Sequence, residues 1–181
     1  MLKQYILFVG NSNPQKNLKR LIKAFDAVKT EKGVSHQLII AGEQGWKFDR
    51  QQAVQGCNHP QTIRFIGFVP DEDMAALYSA ASLFVFPTLY EGFGIPVLEA
   101  QVCGVPVLTS NCTSLPEVGG EGAYYVDPYS EKEIAEGIWK LLIEPELAEK
   151  LVQLGKENVK RFSWERLAKC LEEVIEKEVG V

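Results

Sequence analysis

The sequence predicts an α/β fold in which a doubly wound parallel sheet is covered by helices on both faces. Short, nearly continuous apolar runs alternate with longer stretches whose apolar residues recur at helical spacing. The short runs lack the apolar–polar alternation of a half-exposed antiparallel strand, so a buried parallel sheet is expected. The 181 residues can form one sizeable core and contain no linker, repeat or low-complexity tract. We therefore expect a single domain over residues 1–181.

The β-rich runs predict six strands, at residues 5–9, 37–41, 63–66, 83–86, 105–109 and 123–126. Helical spacing and end signals predict seven helices, at residues 17–31, 47–55, 71–80, 96–104, 131–145, 146–160 and 164–178. Pro96 at the start and Gly104 at the end of the fourth helix are the usual proline-in, glycine-out pair. Ser130 and Glu133 form a capping-box pattern ahead of the next helix.

The composition argues against several function classes. A net charge of −5 does not suit a general nucleic-acid or anionic-membrane surface, so no nucleic-acid partner is expected. The four cysteines form no C-x-x-C pair and the two histidines lie far apart, which predicts reduced thiols, a cytoplasmic location and no zinc site. The apolar run near Met1 is too short to predict a secretory signal, and no segment has the length of a membrane span.

An acidic triplet, Asp71, Glu72 and Asp73, has the D-x-D form of a metal–nucleotide signature. In that role the motif usually ends a strand. Here it follows Pro70 and opens a helix, where acidic side chains favour the positive end of the helix dipole. We therefore expect no metal at the triplet.

The loops at the carboxyl ends of parallel strands form the ligand site of such a sheet. This rule nominates the loops at residues 10–16, 42–46, 67–71, 87–95 and 110–117. In the fourth of them, Glu91 and Glu99 bracket a glycine-rich turn at the start of a helix.

This turn combines an anion site with two carboxylates. Gly92 and Gly94 let a ligand approach the backbone, and the first amides of the helix attract an anion. Each carboxylate can accept two hydroxyl hydrogen bonds, as a vicinal diol requires. A nucleotide sugar has a diphosphate between two polyhydroxylated rings. Its diphosphate would bind the amides, and each ring would bind one of the two carboxylates. Two other interpretations stay open. Glu91 and Glu99 could be ordinary surface carboxylates, or they could be the carboxylate pair of a glycosidase, which needs no phosphate-binding turn.

The segment EGFGIPVLE at residues 91–99 closely resembles the E-x7-E motif of retaining glycosyltransferases of the GT-B fold, specifically glycosyltransferase family 4. The segment FVGNSNPQKNLKRLIKAF resembles the family's first strand, diphosphate loop and helix. Residues 63–120 resemble its central block, and FSWERLAKCLEEV resembles its terminal helix. The resemblance spans nearly the whole chain. It implies a Rossmann-like sheet that forms one half of a GT-B fold, namely the C-terminal, donor-binding half of a two-domain enzyme.

The resemblance also implies roles for individual residues. Glu91 would bind hydroxyls of the donor hexose, helped by the amides of Phe93 and Gly94. Glu99 would bind the ribose, and Lys16 would bind the diphosphate and stabilise charge as the nucleotide leaves. Lys16 and Glu91 are thus the expected catalytic residues. The implied donor-binding residues are Gly10, Asn11, Lys16, Phe68, Val69, Glu91, Gly92, Phe93, Gly94, Ile95, Pro96, Val97 and Glu99.

One position departs from the family pattern. Members often carry an arginine directly after the first glycine, as a second cation for the diphosphate, whereas this chain has Asn11. An asparagine offers a hydrogen bond but no charge-assisted contact. Lys47, Arg20 or the partner domain would have to supply the missing charge.

The implied activity is a metal-independent hexosyl transfer, with retention, from a GDP-sugar or UDP-sugar to an acceptor hydroxyl, in cell-envelope polysaccharide biosynthesis. Overall likeness to mannosyltransferase-like members favours GDP-mannose over UDP-glucose as the donor. The acceptor (a glycan, a lipid or a small molecule) would bind through an N-terminal domain that this chain is expected to lack. A peripheral membrane association of the full-length enzyme stays open.

The chain starts just before the first strand, at Met1, which we interpret as a fragment boundary. Without its acceptor half it should bind the donor weakly and turn over little or nothing. Two alternatives stay open, a non-catalytic nucleotide-sugar-binding module and a dinucleotide-dependent oxidoreductase. The first turn, GNSNPQK, lacks the G-x-G-x-x-G pattern of the latter.

Overall fold

A computed structural model describes residues 4–45 and 48–179. Its six strands form one parallel sheet in the order β3-β2-β1-β4-β5-β6. The strands are β1 (Tyr5–Val9), β2 (Gln37–Ala41), β3 (Ile63–Gly67), β4 (Leu83–Phe86), β5 (Val107–Ser110) and β6 (Tyr124–Val126). The predicted α/β class and parallel sheet are therefore confirmed. β5 begins two residues later than predicted, because Pro106 has no amide for the ladder and contributes only its carbonyl, which accepts from the Phe84 amide at 2.9 Å.

Eight α-helices are present in the described residues: α1 (Leu18–Lys32), α2 (Arg50–Val54), α3 (Asp71–Ser79), α4 (Ile95–Val102), α5 (Leu115–Gly119), α6 (Glu131–Ile143), α7 (Pro145–Asn158) and α8 (Trp164–Val179). Four short 3-10 turns lie at Pro14–Lys16, Pro60–Thr62, Gly120–Gly122 and Val159–Arg161. Seven of the helices match predicted ones, and α5 was not predicted. The first residue of the predicted 47–55 helix, Lys47, lies outside the described residues, as does Met1 at the proposed fragment boundary.

The strand order creates a switch point between β1 and β4. The chain moves outward from β1 to β3, returns through α3 to β4, and then moves outward on the other side. Right-handed crossovers place α1 and α4 on opposite faces, so the loops after β1 and β4 diverge and leave a crevice. α1 packs against α6, and α4 packs against α7. All four residues of β4 are buried in the core beneath this crevice.

The predicted capping box of α6 forms only in part. The Ser130 hydroxyl accepts from the Glu133 amide at 3.1 Å, as predicted. The Ser130 amide, however, already donates to the Asp127 carbonyl. The Glu133 carboxylate therefore accepts from the Asp127 amide at 3.0 Å instead. In the part of the chain that the structure describes, no helix combines the length and the apolar character that crossing a membrane requires.

Asn17 ties together three loops at the carboxyl edge of the sheet. Its side-chain amide donates to the carbonyls of Pro87 (2.8 Å) and Pro128 (2.7 Å), which follow β4 and β6. Asn17 itself follows β1 and has a left-handed backbone, with φ 59°, a conformation that asparagine tolerates better than most residues. Its side chain is buried, so both carbonyls depend on it for a donor.

Replacing Asn17 with alanine should lower the free energy of unfolding by about 2–4 kcal/mol, since two buried carbonyls lose their donor and the left-handed backbone becomes strained. Asn17→Gly is the matched control. Glycine loses the same side-chain hydrogen bonds as alanine, but it adopts the left-handed backbone conformation without strain. We expect the glycine variant to be about 1 kcal/mol more stable than the alanine variant. Denaturant unfolding measures both, and two variants as stable as the parent chain would contradict this role for Asn17.

Candidate functional site

The loops after β1 and β4 meet at the switch point. The Leu89 amide donates to the Gln15 carbonyl at 2.7 Å, and Asn17 binds the Pro87 carbonyl. These contacts bring the Lys16 ammonium within 2.7 Å of the Glu91 Oε1. The two residues predicted to be catalytic, 75 positions apart, therefore form one ion pair.

The Lys16–Glu91 pair is largely shielded from water. The two side chains are 17% and 13% exposed, and the Lys16 ammonium lies 5.0 Å from the centre of the buried Phe86 ring. At this depth Coulomb attraction is stronger than at the surface, and each charge needs its partner. The pair places one cation and one carboxylate directly at the mouth of the crevice.

The glycine turn before α4 is held by residues at the start of α5. The Ser114 hydroxyl lies 3.1 Å from the Glu91 carbonyl and 2.7 Å from the Phe93 carbonyl, and can donate to either. In a trans peptide the amide points away from the carbonyl, so the amides of Gly92 and Gly94 point away from Ser114. Within the described residues, neither amide donates to a protein group. The exposed Gly92 and the buried Gly94 thus carry amides without a protein acceptor just before the positive end of α4, a combination that suits an anion site.

Gly94 cannot be replaced without distorting this turn. It precedes the first residue of α4 with φ 106°, a conformation that only glycine adopts easily. A Cβ at this position would lie 2.7 Å from the Leu115 Cδ2. The backbone conformation and the close packing against α5 therefore both require glycine.

Glu99 lies in the second turn of α4 with its side chain exposed. Its Oε2 accepts a 2.8 Å hydrogen bond from the hydroxyl of Tyr78, a buried residue near the end of α3. Burial, and then the charge of Glu99, raise the pKa of the Tyr78 hydroxyl, so it remains a donor. The second carboxylate of the motif is thus held by a hydrogen bond from α3, whereas the first is paired with Lys16.

The other predicted donor-binding residues differ in accessibility. Phe68, Phe93 and Ile95 are 70%, 47% and 53% exposed, and the Phe93 ring packs edge-on against Phe162 at 5.9 Å. Half-buried positions are taken by Gly10, Val69 and Pro96. Val97 is different, because its side chain is fully buried and its amide donates to the Gly94 carbonyl. In this structure neither group of Val97 is open to a ligand.

Asn11 lies on the loop after β1 and is exposed. Its side-chain oxygen accepts from the Glu43 amide at 3.3 Å, so it joins this loop to the one after β2. A side chain at Gly42 would collide with the Gly10 carbonyl, which shows how closely the two backbones approach. Two side chains could supply the positive charge that Asn11 lacks. One of them, Arg20, donates to the Asn17 Oδ1 at 3.0 Å. Lys47 lies outside the described residues.

The described residues include no group of three or more histidine, cysteine, aspartate or glutamate side chains that could hold a metal ion. Asp71, Glu72 and Asp73 occupy the first turn of α3, as their helix-start interpretation predicted. Among the described residues, Lys16 is the cation that pairs with Glu91, the residue just before Gly92. The absence of a metal requirement stays a prediction.

The sequence alone did not reveal three residues that shape this site: Asn17, Tyr78 and Ser114. Only Asn17 had a local indication in the sequence, because asparagine favours turns. Their contacts join residues 21 or more positions apart, so no periodic pattern records them.

The geometry defines a parallel α/β protein in which a glycine turn, a candidate anion site, lies between two carboxylates in the sequence. Comparison with known proteins identifies the family: the chain belongs to the glycosyl transferases group 1, whose family profile matches residues 2–158. The family predicted from the motifs is therefore confirmed. The chain is 41% identical over 162 residues to the O-antigen chain mannosyltransferase B of Escherichia coli, an alignment that covers 89% of this chain and 42% of that protein.

Two solved structures confirm the fold. Sucrose-phosphate synthase from Thermosynechococcus elongatus matches with a TM-score of 0.85 and 26% identity, over 98% of this chain and 46% of that one. The C-terminal domain of a glycosyl transferase group 1 family protein (LpcC) from Francisella tularensis matches with a TM-score of 0.76 and 25% identity, over 88% of this chain and 85% of that one. The Rossmann-like sheet predicted for one half of a GT-B fold is thus present.

The shielded Lys16–Glu91 pair should contribute measurably to stability. We expect Lys16→Met and Glu91→Gln each to lower the free energy of unfolding by about 1–3 kcal/mol, since each leaves a mostly buried charge without its partner. The double variant should lose less than the sum of the two. A double-mutant cycle in urea measures this coupling.

The matched control is the Lys23–Glu131 pair, whose atoms lie 3.3 Å apart but whose side chains are 64% and 44% exposed. Its coupling should stay below about 0.5 kcal/mol, because water screens exposed charges. Equal coupling at the two pairs would contradict the shielded character of Lys16 and Glu91.

Proposed function

We propose that this chain is the donor-binding half of a retaining hexosyltransferase, which moves a hexose from a nucleotide-diphosphate sugar to an acceptor hydroxyl. The observation that supports it best is the anion site at Gly92 and Gly94 with a carboxylate on either side. A diphosphate between two polyhydroxylated rings fits this arrangement, with the hexose at Glu91 and the ribose at Glu99. Membership of the glycosyl transferases group 1 supports the same substrate class.

The diphosphate would compete with Glu91 for Lys16. In the structure the Lys16 ammonium contacts Glu91 at 2.7 Å, and the free amides of Gly92 and Gly94 lie next to that carboxylate in the chain. A bound diphosphate would attract Lys16 and release carboxylate oxygens of Glu91 for hexose hydroxyls. Donor binding would thus replace the Lys16–Glu91 pair with a Lys16–diphosphate pair. Lys16 would have an anionic partner in both states.

The proposed reaction is a substitution on one face of the sugar. The bond between the anomeric carbon and the phosphate oxygen breaks, and the acceptor oxygen attacks from the side that the nucleotide leaves, which gives retention. The proton of the acceptor hydroxyl passes to the departing diphosphate oxygen on the same face. Lys16, the two amides and the α4 dipole stabilise the charge that develops on the diphosphate. Because Glu91 holds the hexose in place, the rate would come from positioning and electrostatics rather than from a covalent intermediate or a metal.

Mannose is the hexose we favour, with GDP-mannose as the donor and UDP-glucose as the alternative. Its support is the O-antigen chain mannosyltransferase, the relative at 41% identity. The nucleotide base would contact the loop at residues 67–69, where the Phe68 side chain is 70% exposed. The relative's name specifies an O-antigen chain, and we propose cell-envelope polysaccharide synthesis in the cytoplasm as the setting.

The proposed function assigns the acceptor to a part of the enzyme other than these residues. The chain spans 42% of the length of the mannosyltransferase that it matches. We therefore propose that the acceptor binds to the remaining part of such an enzyme, and that the 181 residues alone bind the donor but transfer little. Efficient transfer by this chain alone would contradict that division.

Replacing the two carboxylates of the motif should have different effects on nucleotide affinity. Glu99→Ala should weaken binding of GDP by about 5- to 30-fold, because the ribose loses hydrogen bonds to a charged acceptor. Calorimetric titration with GDP, UDP, GDP-mannose, UDP-glucose and NAD measures the effect and tests the choice of nucleotide.

Glu91→Ala is the matched control, since it removes the other carboxylate of the motif. It should not weaken GDP binding, because the diphosphate no longer competes with Glu91 for Lys16, and it should weaken GDP-mannose relative to GDP, because the hexose loses its acceptor. Equal effects of both variants on free GDP, or no effect of Glu99→Ala, would contradict the assignment of one carboxylate to each ring.

A further inference from the structure

The buried hydroxyl of Tyr78 contacts the carboxylate of Glu99 at the edge of the site. We propose that Tyr78 is a positioning residue that holds Glu99 in the orientation that accepts the ribose hydroxyls of the nucleotide. This inference rests on the proposed function, because it requires that Glu99 bind the ribose. It adds a residue from α3 that touches no part of the donor.

The ring of Tyr78 is fixed by the core. It is 1% exposed and packs edge-on against Phe84 of β4, with ring centres 5.3 Å apart. Only the hydroxyl reaches the neighbouring helix α4, where it lies 2.8 Å from the Glu99 Oε2. A rigid group on one helix therefore restrains a flexible, exposed side chain on the next.

The choice of acceptor distinguishes Tyr78 from two half-buried tyrosines, Tyr5 and Tyr125. Tyr5 donates to the Leu77 carbonyl at 2.6 Å, and Tyr125 donates to the Gly120 carbonyl at 2.6 Å. Both hydroxyls are satisfied by a backbone group, as is usual for a structural hydrogen bond. Tyr78 instead donates to a carboxylate on the ligand side, although an exposed glutamate can be hydrated without it.

The hydrogen bond leaves Glu99 competent to bind. An ionised carboxylate offers about four acceptor sites, so Tyr78 occupies one and the others remain for a diol. Burial raises the pKa of Tyr78, so the hydroxyl stays protonated and keeps donating at ordinary pH. A free glutamate would lose rotamer freedom on binding a ligand, whereas one held in place has lost that freedom already.

The test compares GDP with 2′,3′-dideoxy-GDP, which lacks both ribose hydroxyls, by calorimetric titration. The parent chain should bind GDP at least about tenfold more tightly, since the hydroxyls donate to a charged acceptor. Tyr78→Phe should weaken GDP about three- to tenfold and leave the dideoxy analogue unchanged. Tyr5→Phe is the matched control, because it removes a hydroxyl that donates to Leu77, the neighbour of Tyr78, and it should change neither affinity.

The outcomes separate the inference from the proposed function. A parent chain that binds both nucleotides equally would overturn the ribose assignment of Glu99 and the role of Tyr78 with it. A parent chain that prefers GDP, with Tyr78→Phe keeping the full preference, would overturn only the role of Tyr78. Should Tyr78→Phe fail to melt cooperatively, a crystal structure of the parent chain with GDP bound replaces it. A Glu99 carboxylate that binds the ribose hydroxyls after leaving the Tyr78 hydroxyl would overturn the role of Tyr78 alone.

Discussion

The hydrogen bonds of Asn17 are the constraint on which the site depends. One buried side-chain amide joins the carbonyls that follow β4 and β6 to the loop that follows β1. Its left-handed backbone turns the chain from the 3-10 turn that carries Lys16 into α1. These hydrogen bonds bring Lys16 into contact with Glu91, 75 positions away in the sequence. The cation and the glycine turn therefore lie in the same crevice.

Of the two carboxylates of the motif, Glu91 has a cation as its partner and Glu99 does not. Lys16 neutralises Glu91, whereas Glu99 accepts a hydrogen bond from a neutral hydroxyl. A diphosphate would add negative charge that one lysine, two amides and a helix dipole must offset. Asn11, where family members often place an arginine, uses its side-chain oxygen to accept from Glu43. We therefore expect further positive charge to come from Lys47 or from the part of the enzyme that we propose binds the acceptor.

Features with a local cause could be predicted, and features that depend on distant contacts could not. The apolar runs predicted β1, β2 and β4 to the residue, because buried strands leave a continuous signal in sequence. The E-x7-E motif predicted where Glu91 and Glu99 lie. The motif did not show that Val97 points into the core, that Tyr78 holds Glu99, or that Ser114 orients the turn. Each of these follows from packing between elements that are far apart in the chain.

A crystal structure of the chain with GDP bound would test the central claim most directly. The account predicts that the diphosphate receives hydrogen bonds from the amides of Gly92 and Gly94, and that the Lys16 ammonium turns from Glu91 to a phosphate oxygen. The ribose hydroxyls should lie on Glu99 while Tyr78 keeps its hydrogen bond to that carboxylate. A diphosphate bound elsewhere, or a ribose turned away from Glu99, would contradict the account.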